Sequence, residues 1–331
     1  MKNYFAHLFA AIALATAPAI ALDKVTFATN WLAEAEHGGF YQAKADGTYE
    51  KYGLDVTILQ GGPNANNRLL LAAGTIEFDL GANLIQAFDA VAQNIPILAV
   101  AALFQKDPFI LMSHPGVGLD RIEDLPRATA FIGKDGFVSV YQWLKKAYGF
   151  RDENVKPYTF NSAPFIADKH SIEQGYATSE PFGVERQGKF KPNVFLAADY
   201  GYDSYSTTIE TTRGLIDKNP DLIQRFVDAS IIGWYNYIYG DNRAANALIK
   251  RDNPDISDDQ LAYSVAKLKE YGIVDSGDAL KFGIGAMTDE RVKDFFDKLA
   301  KAGLVKPDTD YKKAYTLKFV NKGVGLDQRP K

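Results

Sequence analysis

Four short apolar runs, at residues 25–28, 54–59, 78–81 and 97–104, alternate with segments of helical length, and this alternation constrains the fold more than anything else in the sequence. Strand-length apolar runs divided by helices call for a mostly parallel sheet covered on both faces. Glycines stand where helices must stop: Gly53 closes a helix spanning residues 37–52 and Gly74 one spanning 66–73, and a further helix runs over 84–93. A second α/β unit begins after His114-Pro115-Gly116. It reads as a strand at 129–132, the turn Gly133-Lys134-Asp135-Gly136, a helix over 137–148, a strand at 155–160, a helix over 163–174 and strands at 176–178 and 194–197.

From Asn219 onward the pattern is helical, with Pro220 at a helix start. Trp234, Tyr235, Tyr237 and Tyr239 recur at helical spacing, which marks a core stripe rather than a cofactor box. These helices are expected to pack back onto the first unit, giving a first lobe of residues 22–112 and 208–331 and a second of 113–207, with 199–206 crossing back. The length supports two lobes, because a single hydrophobic core stops growing before about 300 residues. Ligands of open α/β sheets bind beyond the carboxyl ends of the strands, so two such lobes facing each other share one cleft.

Lys2, the apolar run at residues 4–14 and the small residues Ala19 and Ala21 form the layout of a signal peptide, with cleavage expected after Ala21 and export to the periplasm. Cysteine is absent, which excludes disulfides, thiolate metal sites, a cysteine nucleophile and a lipidated cysteine anchor. The formal net charge of −4 becomes −5 without Lys2, and the charges are interspersed, so nucleic acid is not an expected partner. Of four histidines, His7 lies in the leader; no metal-ligand spacing or nucleophile elbow is present. A monomeric binding protein without cofactor or metal, not an enzyme, is the expectation.

The run from Asn30-Trp31 through His37-Gly38-Gly39-Phe40-Tyr41-Gln42-Ala43 to Tyr52-Gly53-Leu54-Asp55-Val56 resembles the opening of the thiamine-pyrimidine-precursor binding family. Leu71-Ala72-Ala73-Gly74 leading into Phe78-Asp79-Leu80-Gly81, and Ser179-Glu180-Pro181-Phe182, are similar to later landmarks of the same family. The resemblance implies a two-lobed periplasmic-binding-protein fold of type II-like organisation, serving an ABC importer with its permease and ATPase, and a pocket histidine near His37. Sulfonate and nitrate binders are more distant relatives. The family also includes a fungal pyrimidine synthase that consumes its own histidine and a lysine-held pyridoxal phosphate and carries a cysteine-rich metal motif, which this cysteine-free chain cannot supply.

Candidate binding residues follow from strand-end positions. Asn30 and Trp31 follow the first strand, where the indole could stack on a flat ring or simply join the core. His37 sits at a helix start. Gly61, Gly62 and Asn64 could present backbone N–H groups and an amide, or only form a turn. Asn83 follows the third strand. In the second unit Glu180 could accept from an exocyclic amine or ring N–H, with Asn161, Tyr202 and Ser206 as weaker candidates. The expected solute is a thiamine-type aminopyrimidine; the alternatives are another flat heteroaromatic such as a flavin or aromatic acid, or a small oxyanion. An oxyanion would want a positioned arginine, for which Arg68 and Arg213 are nearest.

Overall fold

The computed structural model describes residues 21–62 and 65–330. The expected signal peptide and the candidate Asn64 lie outside the described residues. Among the described residues no helix is long and apolar enough to cross a membrane.

The chain forms two five-stranded sheets. It begins with β1 (Asp23–Ala28), β2 (Leu54–Leu59), β3 (Phe78–Asn83) and β4 (Ile97–Phe104). It then crosses to β5 (Phe109–Ser113), β6 (Thr129–Ile132), β7 (Val155–Pro157), β8 (Ser171–Tyr176) and β9 (Asn193–Leu196), and returns as β10 (Ser206–Thr212). The sheet orders are β2-β1-β3-β10-β4 and β7-β6-β8-β5-β9.

Each sheet is mixed. β10 is antiparallel to β3 and β4, and β5 is antiparallel to β8 and β9, so one strand in each sheet opposes the other four. The reversed strand is in each case the first one entered after a crossing. β4 and β9 end at the cleft, and a short crossing can only enter the opposite sheet from that side. The entering strand therefore runs away from the cleft while its neighbours run toward it.

Two sequence-based boundaries shift. β5 lies wholly in the second sheet, so the first crossing occupies residues 105–108 rather than the 112/113 boundary, and β10 places Ser206 and Thr207 in the first sheet. The helix expected over 163–174 stops early, at Ala163–Ala167, and the strand expected at 176–178 is instead β8 at Ser171–Tyr176.

One hydrophobic cluster runs through both lobes, and aromatic rings pack its part under the first sheet. The helix Pro220–Tyr239 buries Trp234, Tyr235 and Tyr237 completely. Trp234 meets Phe40 at 6.0 Å and Phe104 at 5.4 Å between ring centroids, both edge-on, a favoured aromatic arrangement. This helix crosses the helix Gly38–Ala45 so closely that a Cβ on Gly233 would stand 2.2 Å from the Gly39 carbonyl oxygen. The glycines at this crossing let the backbones touch, and the start of Gly38–Ala45 is thereby fixed at the cleft wall.

Candidate functional site

The carboxyl ends of both sheets meet across a cleft of about 830 Å³. Six candidates line it: Asn30, Trp31, His37, Gly62, Asn83 and Glu180. The first lobe supplies the first five from the segments after β1 and β2 and from the end of β3, and the second lobe supplies Glu180 after β8. Trp31 reaches across the lobes to Phe160, with ring centroids 4.3 Å apart and planes at 47°. Phe160 holds a left-handed backbone, φ 62°, a conformation that non-glycine residues keep only where surroundings impose it. Phe160 is half-exposed and Trp31 partly buried, and their contact joins the two lobes at the cleft.

His37 is 1 % exposed, and burial depresses its pKa to about 3, so the imidazole is neutral. Its Nε2 lies 3.2 Å from Asn30 Oδ1, which assigns the proton to Nε2 and leaves Nδ1 as an acceptor without a protein partner. Glu180 is held by three donors: the Tyr176 N–H at 2.7 Å and the Ser179 hydroxyl at 2.6 Å on Oε2, and the Tyr158 hydroxyl at 3.4 Å on Oε1. Asn83 caps the helix Leu84–Ala92 by accepting from the Ile85 N–H at 3.2 Å.

Five candidates stand elsewhere. The Gly61 N–H is spent on the Trp31 carbonyl at 3.0 Å, and a Cβ there would be 2.2 Å from the Thr29 carbonyl oxygen, so this glycine serves the turn. Asn161 is exposed and caps a helix start through the Ala163 N–H at 3.0 Å. Tyr202 is fully buried against Trp143 and Phe295, with centroids at 5.5 and 5.3 Å, because its large ring packs under the return crossing. Ser206 donates to the Ala82 carbonyl at 2.6 Å within the sheet. Arg213 donates to the Lys313 carbonyl instead of facing the cleft.

The sequence reading missed the acidic wall. Glu34, Glu36, Asp79 and Asp107 line the cleft together with Tyr158, Phe160 and Tyr176. Burial lifts the Glu36 carboxyl to about 7, against the lowering effect of the Thr178 hydroxyl that donates to Oε1; Oε2 has no partner. Burial also raises Glu34 well above the usual carboxylate range, and the charges of Glu36 and Glu180 add to it. Asp107 is pushed to about 7 by burial while accepting from the Phe109 N–H at 3.0 Å. The one available signal was proximity, since Glu34 and Glu36 lie within three residues before His37 in sequence.

The cations lining the cleft are Arg68 and Lys134. Arg68 is engaged: its Nη2 donates to both oxygens of buried Glu210, at 2.7 and 2.8 Å, and its Nη1 to the Gln86 carbonyl at 2.7 Å. Among the described residues, no cluster of three or more His, Cys, Asp or Glu side chains is placed to hold a metal ion.

A family model described as NMT1/THI5 like matches residues 34–244. The chain belongs to the NMT1/THI5-like family. Within that relationship it is similar to the riboflavin-binding protein RibY of Chloroflexus aurantiacus, at 27 % identity over 91 % of this chain and 87 % of that one. It is also similar to the 4-amino-5-hydroxymethyl-2-methylpyrimidine phosphate synthase of Schizosaccharomyces pombe, at 27 % identity over 62 % of this chain and 63 % of the synthase. Among solved structures, the periplasmic aliphatic sulphonate binding protein SsuA of Escherichia coli superimposes with a TM-score of 0.66 at 13 % identity, covering 88 % of this chain and 91 % of that one. The fold is that of two-lobed periplasmic binding proteins.

The carboxyls set a pH dependence. Burial raises Glu36, Asp107 and Glu173 to about 7 and Asp79 to about 8, from ordinary values of 4.5 for glutamate and 3.8 for aspartate. The folded state therefore keeps protons that the unfolded chain releases between about pH 4 and 8, and stability falls as pH rises through that window. Without ligand, the melting temperature at fixed ionic strength is expected to fall by at least several degrees from about pH 5.5 to 8.5. A melting temperature that rises over the same interval would contradict the burial of these groups.

Proposed function

We propose that this chain is the extracytoplasmic solute-binding component of an ABC-type importer, without catalytic activity, and that its cleft captures a flat nitrogen heteroaromatic by closure of the two lobes. The observation that carries this reading is the polarity of the lining: buried acceptors and aromatic rings, with the lining arginine already committed to Glu210. A sulfonate or nitrate would meet the carboxyls of Glu34, Glu36, Asp107 and Glu180, with the exposed Lys134 as counter-charge and the Arg68 guanidinium already engaged, whereas amino and ring N–H groups find acceptors.

Two solutes fit these terms. A thiamine-type aminopyrimidine suits the firmly oriented Glu180. A flavin suits the 830 Å³ volume, and the relative that matches nearly the whole chain is named for riboflavin. The pyrimidine synthase relatives match no more than 63 % of their own length. The synthase reading lacks the cysteines its metal motif would need. An open form would admit the solute by parting Trp31 from Phe160, and the closed lobes would present the docking surface for the permease.

Thermal unfolding against riboflavin, 4-amino-5-hydroxymethyl-2-methylpyrimidine, taurine and nitrate tests the reading. A bound solute at about 100 times its Kd adds about 2.7 kcal/mol, several degrees for a chain of this size. A shift with a heteroaromatic and none with the oxyanions is expected; a shift with the oxyanions alone would refute it. Trp31→Ala is expected to weaken the bound heteroaromatic by roughly tenfold or more in titration calorimetry, since stacking and the area it buries exceed about 1.4 kcal/mol.

A further inference from the structure

Three buried acceptor atoms on cleft-lining residues find no partner among the described residues, one on Asp79 and two, adjacent in sequence, on Glu36 and His37. Glu36 is 3 % exposed and its Oε2 has no partner; His37 is 1 % exposed and its Nδ1 has none. Both residues line the cleft, and both belong to the turn that opens the helix Gly38–Ala45. Buried polar atoms are normally paired, so two adjacent orphans of the same acceptor type in a ligand cleft point to donors arriving from outside the chain.

The other oxygen of Glu36 does something different. Its Oε1 accepts from the hydroxyl of Thr178, which follows β8 in the second lobe. The Thr178 carbonyl in turn accepts from the Ser264 hydroxyl at 2.7 Å, on the helix Asp258–Glu270 that follows the return to the first lobe. The same helix holds the second lobe through the ion pair of Asp259 with Arg186 at 2.7 Å and the contact of Tyr263 with Phe182 at 5.3 Å. Thr178 is thus clasped between two first-lobe elements when the lobes are together.

We propose that Glu36 is the specificity-determining residue of the cleft: its Oε2 accepts from an amino, ring N–H or hydroxyl donor of a neutral or cationic heteroaromatic, while its Oε1, bound to Thr178, ties that contact to lobe closure. This rests on the reading of the cleft as a heteroaromatic binding site and adds which residue selects the solute. The neighbouring unpartnered Nδ1 of His37 favours a solute with more than one donor on that edge. An anionic solute is disfavoured, because it would meet the carboxyls of that wall while the lining guanidinium of Arg68 is already held by Glu210.

Titration calorimetry of riboflavin, 4-amino-5-hydroxymethyl-2-methylpyrimidine and taurine on the wild type, Glu36→Gln and Thr178→Val tests this. With its carbonyl oxygen turned to Thr178, glutamine presents a donating NH2 where Oε2 accepted from the solute. Glu36→Gln is expected to weaken the heteroaromatic at least tenfold, while its ligand-free melting temperature stays equal to or above the wild type's, since a buried carboxyl becomes a neutral amide. Thr178→Val, which leaves Oε2 free but cuts the link between lobes, is expected to weaken it by about threefold to tenfold. A Glu36→Gln protein that binds within twofold of the wild type overturns the assignment and leaves the cleft reading standing. A wild type that binds taurine and neither heteroaromatic overturns both.

Discussion

Arg68→Met is expected to lower the unfolding free energy by about 3–5 kcal/mol, the usual cost of stranding one partner of a buried ion pair. Glu210 stands in the middle of the first sheet with its side chain fully buried, and Arg68 grips both its oxygens. The sheet is built around this carboxylate: a Cβ on Gly81 would come within 2.3 Å of Glu210 Oε1. Asp79, beside it with one oxygen unpartnered, offers no compensation. At about 2–4 °C per kcal/mol for a chain of this size, the melting temperature should drop by roughly 10 °C. The double variant Arg68→Met with Glu210→Leu should recover most of that loss, because it removes the stranded charge. The opposite pattern, an undisturbed melting temperature with loss of oxyanion binding, would make Arg68 an anion receptor and reverse the reading of the cleft.

Gly233→Val is expected to cost more than about 4 kcal/mol and to prevent recovery of folded protein at 37 °C. The added Cβ would stand 2.2 Å from the Gly39 carbonyl oxygen and 2.7 Å from the Ala43 Cβ, so a backbone, not a flexible side chain, must yield. Separating the two helices would also withdraw Trp234 from Phe40 and shift the segment bearing Glu36 and His37. Gly183 provides the control: it lies inside the helix Glu180–Gly188, and a Cβ there meets nothing nearer than Gln187 at 4.0 Å. Gly183→Ala should therefore stabilise by about 0.5–1 kcal/mol. Circular dichroism melts of the two variants beside the wild type decide the matter, and a Gly233→Val protein melting with the wild type would contradict the close helix crossing.

Where burial is apolar, the fold was legible. The runs that became β2, β4 and β6 read as strands because every second or every residue is aliphatic or aromatic, and the Trp234 stripe read as core for the same reason. β8 did not, because its Glu173 and Gln174 are polar residues in a central strand. Glu173 accepts from the Ser162 hydroxyl at 2.6 Å and Gln174 from the Gly133 N–H at 2.8 Å, pairings that only the folded second lobe provides. The reversed strands were hidden too, since strand direction is set by where the crossings lie and not by side-chain pattern.

The cleft shows the same division. Strand-end position found Trp31 and Glu180, and the helix start with the family resemblance pointed to His37, but the same reasoning also promoted Tyr202, whose buried ring serves packing, and Gly61, whose N–H closes a turn. It passed over Glu34 and Glu36, since single acids in a loop read as solvated until the second lobe covers them.

A crystal structure of the protein grown with whichever heteroaromatic stabilises it most tests the account most directly. The account predicts the ring system inside the cleft, stacked on Trp31, with a donor of the solute within hydrogen-bonding distance of Glu36 Oε2 and Thr178 still bound to Oε1. A solute seated outside the cleft, or an oxyanion held there by Arg68 released from Glu210, would contradict it.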